Sequence, residues 1–174
     1  YMPTIATEPV HDASLPKGTA EDGQPRAYAY TALTRSAVQA TNALIAEGIP
    51  IHWAPSALAG CEHDLPAGSL VLPADSPRTA STIQRLTDVY GIDAVSVCEL
   101  PRDLVRLPRT RVAAHADPSV AFVLRDLGFD VTAVTTTELA HLAAYDVLIV
   151  SGQMPLWERL APAGQRALSG YYRG

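Results

Sequence analysis

Three short polar segments close apolar runs in this chain. Pro73-Ala74-Asp75-Ser76 follows Leu72, Ala116-Asp117-Pro118 follows His115, and Ser151-Gly152-Gln153 follows Val150. Carboxylates, hydroxyls and a backbone freed by glycine are suited to holding a small polar ligand. Open α/β sheets bind ligands beyond the carboxyl ends of their strands, near a reversal of strand order, so these loops are expected to share one rim. Asp75, Ser76, Asp117, Ser151 and Gly152 are therefore the candidate binding residues. Asp75 or Ser76, and Asp117 or Ser119, have a second reading as caps of the helices that follow, and the two roles can coexist.

Other reactive side chains point less clearly to chemistry. Cys61-Glu62-His63-Asp64 is the densest polar cluster. Successive side chains point in different directions and rarely converge on one ion, so a surface loop is expected there and no metal site is assigned. Glu8, His11 and Asp12 have metal-ligand types but sit in a proline-broken stretch with nothing to hold a coordination geometry. His52 is flanked by Ile51 and Trp53 and reads as a structural histidine. His115 ends a strand at the rim, but no partner nucleophile can be named, so a hydrogen-bonded rim residue is expected and not a base. His141 is expected at the surface. Phosphate-cradling glycine motifs, a G-x-S-x-G elbow, H-E-x-x-H and C-x-x-C are all absent from the sequence, and no catalytic residue is assigned. Cys61 and Cys98 either form one bridge in an oxidising compartment or stand as two unrelated buried thiols.

The elements that must position these residues read as alternating strands and helices. Residues 1–27 form an extended lead-in, broken by Pro3, Pro9, Pro16 and Pro25. Residues 28–100 form a first α/β unit. Its strands are expected near Ala27–Tyr30, Ile49–Trp53, Ser69–Leu72 and Ile92–Val97. A helix capped by Thr34 and stopped by Gly48 buries Ala37, Val38, Thr41, Leu44 and Ile45. A second helix, starting at Ser76–Pro77, carries Ile83, Leu86, Val89 and Tyr90. Residues 101–174 form a second unit with strands Arg111–His115, Asp130–Val134 and Asp146–Val150. The helix between the first two of these strands carries Val120, Val123, Leu124 and Leu127. Alternation of this kind predicts a three-layer αβα architecture around a mainly parallel sheet, with the runs VLIV and AVSV as interior strands. The two units are expected to share one sheet or to pack closely. A helix from Pro162 should deliver one more strand, so the pattern predicts a domain that continues past Gly174.

Composition limits the partners. The chain is 48% hydrophobic and 18% charged, with 13 basic against 18 acidic residues and no basic run. Nucleic-acid binding through clustered Lys and Arg is disfavoured. No apolar stretch approaches the roughly 20 residues a membrane span needs.

The stretch RVAAHADPSVAFVLRDLGFDVTAVTTTELAHLAAYDVLIVSG, followed by LAPAGQRALSGYYRG, resembles the front half of a class I glutamine amidotransferase-like domain. Upstream, RAYAYTALTRSAVQATNALIAEGIPIHWAP and LPAGSLVLPADSPRTASTIQRLTDVYGIDAVSV add a likeness to the accessory C-terminal region of secreted bacterial zinc carboxypeptidase-like proteins. Together the likeness spans roughly residues 26–174. It implies a flavodoxin-like fold, an extracellular location, a peptidase domain in the same polypeptide, and a small polar ligand or peptide as possible partner. Zinc would belong to that peptidase domain, and the resemblance implies no cofactor in this chain. In active amidotransferases the nucleophilic cysteine follows the next strand, beyond Gly174. Neither Cys61 nor Cys98 matches that position. The resemblance therefore implies either a non-catalytic accessory or binding domain, or an amidotransferase-like hydrolase whose nucleophile lies further on. A third expectation is a small-molecule-binding module built on the rim.

Overall fold

The computed structural model describes residues 16–21, 25–151 and 156–173. Glu8, His11, Asp12 and Gly152 lie outside the described residues.

The chain is a mixed α/β protein with two separate sheets. The first has five strands: β1 (Ala27–Tyr30), β2 (His52–Trp53), β3 (Leu70–Pro73), β4 (Val95–Val97) and β5 (Val105–Arg106). Their order is β4-β1-β3-β2-β5, and every neighbouring pair is antiparallel. Helix α1 (Arg35–Ala46) connects β1 to β2, and α2 (Thr79–Asp88) connects β3 to β4. The expectation of a mainly parallel sheet fails here for a topological reason. Each strand–helix–strand crossover does return to a strand of the same direction, but it skips one position. The strand of the other crossover fills the gap antiparallel, which is the split β-α-β, ferredoxin-like arrangement. Alternation of strands and helices is the same in both topologies, so periodicity does not distinguish them.

The two faces of this sheet are covered differently. Tyr28, Tyr30, Leu70 and Leu72 face α1 and α2, where Ala37, Ala40, Leu44, Ile83 and Leu86 complete a core. The Tyr30 hydroxyl is buried there with Thr41 Oγ1 at 2.9 Å, and burial pushes its pKa up to about 12. On the opposite face the small Ala27 and Ala29, with Val71 and Val97, admit the loop between β2 and β3 through Leu58 and Leu65. Burying a leucine is worth about 1.5–3 kcal/mol, more than a net hydrogen bond, so these two residues hold the loop down. A loop in place of a second helix layer means that this unit is not a three-layer sandwich.

The Cys61–Cys98 disulfide ties that loop to the end of β4 across 37 residues. Closing a loop of this length removes about 4 kcal/mol of unfolded-chain entropy in the simplest treatment. The bridge resolves the open alternative for the two cysteines and is compatible with an oxidising compartment.

The second sheet is parallel, as expected, with order β7-β6-β8 from β6 (Arg111–His115), β7 (Asp130–Ala133) and β8 (Val147–Val150). Helix α3 (Pro118–Asp126) connects β6 to β7, and a 3-10 helix (Glu138–Ala144) connects β7 to β8. After β8 come the short α4 (Leu156–Arg159) and α5 (Pro162–Arg173). One face of the sheet buries Ala113 and Leu148 against Leu139 and Leu142 of the 3-10 helix, Leu160, and Leu168 of α5.

Both apolar runs expected as interior strands lie at sheet edges. AVSV is β4, buried on both faces, and residues 20–21 cover its outer side through an Ala20–Ala94 bridge and a 3.1 Å bond from Glu21 N to Ala94 O. VLIV is β8, where Val147 and Val150 are half-exposed. An apolar run reports burial of faces and is silent about the strand's flanks. The same limit applies to the helix stripes, since Val89 and Val123 are exposed.

Helix α1 joins the two units. Its Ala37, Ala40, Thr41 and Leu44 are buried on the first sheet, while Arg35, Gln39 and Asn42 lie on the stripe facing α3. Gln39 Nε2 donates to Asp126 O at 2.8 Å and Asn42 Nδ2 to Leu127 O at 2.7 Å. The last carbonyls of α3, which lack helical partners, are thus satisfied from another helix. Gly128 turns the chain away at φ 83°, and a Cβ there would lie 3.0 Å from Asn42 Cβ. Replacing Asn42 with Ala should cost about 1 kcal/mol in urea unfolding, the net worth of one partly buried hydrogen bond. An unchanged midpoint would show that the contact contributes nothing.

A second tie lies within the parallel sheet. The Asp146 carboxylate accepts from Arg111 N at 2.8 Å, Nε at 3.1 Å and Nη2 at 2.9 Å, and Asp146 N donates to Arg111 O at 2.9 Å. These bonds, with the guanidinium charge, hold the Asp146 pKa down at about 2 against an ordinary 3.8. A depressed carboxylate stabilises the fold above its unfolded pKa and loses that contribution as pH falls through the folded value. The gap in melting temperature between the native chain and Asp146→Asn should therefore be constant near neutrality and shrink between about pH 4 and pH 2. A pH-independent gap would contradict this.

Candidate functional site

The carboxyl ends of β6, β7 and β8 open onto a cavity of about 410 Å³, lined by His115, Thr135, Thr136 and Ser151 together with the backbone around Ala116 and Val134. Local sequence builds each wall. Asp117 caps α3, its carboxylate accepting from Ser119 N at 2.9 Å with Pro118 in the first turn. The bonds from Ser119 keep the Asp117 carboxyl below the usual carboxylate range. Thr135 and Glu138 bond reciprocally, in the manner of a capping box, at the start of the 3-10 helix: Glu138 Oε2 accepts from Thr135 N at 2.7 Å and Oγ1 at 2.8 Å, and Glu138 N donates to Thr135 Oγ1 at 3.4 Å. These bonds lower the Glu138 pKa.

Asp117 and Ser151 meet as the rim expectation requires. Asp117 N donates to Ser151 Oγ at 3.3 Å, and Ser151 N donates to His115 O at 3.2 Å. Asp75 and Ser76 do not join them, because β3 belongs to the other sheet. They border a slot of about 10 Å³. That is no more than one water requires. Ser76 Oγ there accepts from Arg78 N at 3.2 Å, capping a turn that precedes α2.

His115 is a hydrogen-bonded rim histidine. Its Nδ1 lies 2.9 Å from Val134 O. A carbonyl only accepts, so Nδ1 carries the proton and Nε2 is the acceptor of the neutral ring. Among the described residues no hydrogen bond joins the His115 imidazole to the Ser151 hydroxyl, and Ser151 Oγ is engaged by Asp117 N. The rim thus offers hydroxyls, backbone groups and one imidazole acceptor, which suits binding a donor-bearing polar ligand. His141 is exposed, as expected. His52 Nδ1, by contrast, is buried and has no hydrogen-bond partner among the described residues, at odds with a satisfied structural histidine.

A second constellation lies on the first unit. His63 Nδ1 is 2.8 Å from Glu21 Oε1, and with Glu62 these residues place three ligand-type atoms within 4.8 Å of one another. The neighbouring carboxylates raise the His63 pKa, and the bonds from His63 and Ser96 lower that of Glu21. Glu62 and His63 stood out in the sequence. Glu21 did not, because only folding brings it across from the lead-in.

The chain matches no model of a protein family, no curated protein and no solved structure with which it was compared. Two-bond ¹⁵N–¹H correlation spectra should show neutral His115 as the Nδ1–H tautomer. An Nε2–H pattern would remove the acceptor assigned to the rim.

Proposed function

We propose that this chain is a non-catalytic accessory domain that binds a small polar ligand or a peptide end through the β6–β7–β8 rim. The cavity beyond these three strands carries the reading, because His115, Thr136 and Ser151 border one space of ligand size. Small-molecule sites are concave with a few placed polar groups, and this one lies where parallel sheets hold their ligands. The parent would be a secreted bacterial metallocarboxypeptidase-like protein, in which a peptidase domain of the same polypeptide performs zinc-dependent proteolysis. That part rests on the likeness of residues 26–174, and the disulfide is compatible with its secreted location.

The open edge of β8 favours a second reading, an amidotransferase-like hydrolase. Among the described residues β8 is an edge strand of its sheet, where one more parallel strand would pair, and in active amidotransferases the nucleophile follows such a strand. Sequence beyond Gly174 with a Cys or Ser directly after a further strand would favour this reading.

The isolated chain should hydrolyse neither glutamine nor peptide C-termini, and either activity would overturn the non-catalytic reading. Titration with free amino acids and short peptides, followed by amide NMR, should shift Ala116, Thr135, Thr136 and Ser151 together. Ser151→Ala should weaken the binding. Shifts scattered away from the rim, or none, would rule out this cavity as the site.

A further inference from the structure

We propose that Glu21, Glu62 and His63 form a binding site for a divalent transition ion of the zinc class, independent of the rim cavity. Two carboxylates and a neutral imidazole carry a charge of −2, which one divalent cation neutralises. A bare His63–Glu21 ion pair leaves Glu62 as excess negative charge beside it. Imidazole with carboxylate is a donor set for zinc and its neighbours, whereas calcium and magnesium favour all-oxygen shells.

The distances are close to those required. Tetrahedral zinc with bonds of about 2.0–2.2 Å separates its ligand atoms by about 3.4 Å. His63 Nδ1 and Glu21 Oε1 stand 2.8 Å apart, and all three ligand atoms lie within 4.8 Å of one another. An ion that displaces the proton shared by His63 and Glu21 need only spread that pair by a few tenths of an ångström. Glu62, exposed on the loop, closes in by at most about 1.4 Å, a side-chain movement within rotamer freedom.

The frame around the cluster is fixed before any ion arrives, and Ser96 is its hub. Ser96 N donates to Glu21 Oε2 at 2.8 Å and Ser96 Oγ to Glu21 O at 3.3 Å. Ser96 O accepts from Cys61 N at 2.8 Å, immediately before Glu62. The disulfide locks Cys61 to Cys98. Gly60 allows the loop to close on itself, since a Cβ there would fall 1.9 Å from His63 O. A carboxylate whose second oxygen is hydrogen-bonded is the outer-shell arrangement that orients metal ligands. Glu21 and the loop backbone are therefore already in place, and the ordering left to binding is that of the Glu62 and His63 side chains.

The test is calorimetric titration of the oxidised chain with Zn²⁺, without reductant so that Cys61 and Cys98 stay bridged. Co²⁺ absorption serves as the readout of coordination. One ion should bind per chain, and Co²⁺ should give ligand-field bands. His63→Gln should abolish binding. Glu21→Gln and Glu62→Gln should each lower affinity by more than the roughly 10–100-fold typical of losing an outer-shell partner. His141→Gln should leave affinity unchanged. His63 is largely exposed, so its variant should retain the native melting curve. No binding by the native chain, or equal binding by His63→Gln, would overturn the proposal.

Discussion

Helix α1 serves two sheets at once, and the relation between the two halves of the molecule depends on it. A 3.6-residue period places Ala37, Ala40, Thr41 and Leu44 on one stripe and Arg35, Gln39 and Asn42 on another. The first stripe is buried on the antiparallel sheet, and the second bonds to the carboxyl end of α3. Because α3 connects β6 to β7, fixing its end fixes one side of the parallel sheet. The contact is polar and capping, so it depends on orientation: only a properly placed amide can satisfy the carbonyls of Asp126 and Leu127.

The disulfide-tied loop is the corresponding constraint on the other side of the first sheet. Two leucines anchor it against alanines, and a covalent bond closes it. That combination lets a loop do the work of a helix layer. It also leaves Glu62 and His63 directly after the bridged Cys61, facing a Glu21 that is held by the backbone of β4. The two candidate sites thus have different origins. The rim cavity follows from parallel strands ending together, and the Glu21–Glu62–His63 cluster follows from a pinned loop.

Local order was legible where one residue's chemistry acts on its own neighbours. The Thr34 cap, the Gly48 stop, the Asp117 cap and the Gly128 turn stand where side-chain type and backbone freedom place them. So do β1, β6 and β8, and the meeting of Asp117 with Ser151 followed from reading β6 and β8 as parallel. The direction of the first sheet was not legible, since a crossover that skips a position has the same periodicity as one that does not. Edge and interior strands were confused for a similar reason: β4 and β8 are apolar on their faces, and the sequence does not say what lies beside them.

Taken alone, the sequence determined the kinds of element, most of their ends, and the residues able to serve as caps or ligands. These depend on φ, ψ and hydrogen bonds within a few positions. Tertiary structure decided which strands became neighbours, that Cys61 meets Cys98, that Asp75 stands apart from Asp117, and that Glu21 reaches His63. Each of these is a contact across tens of residues. Its free energy comes from burial and bonding that exist only once the chain has closed on itself.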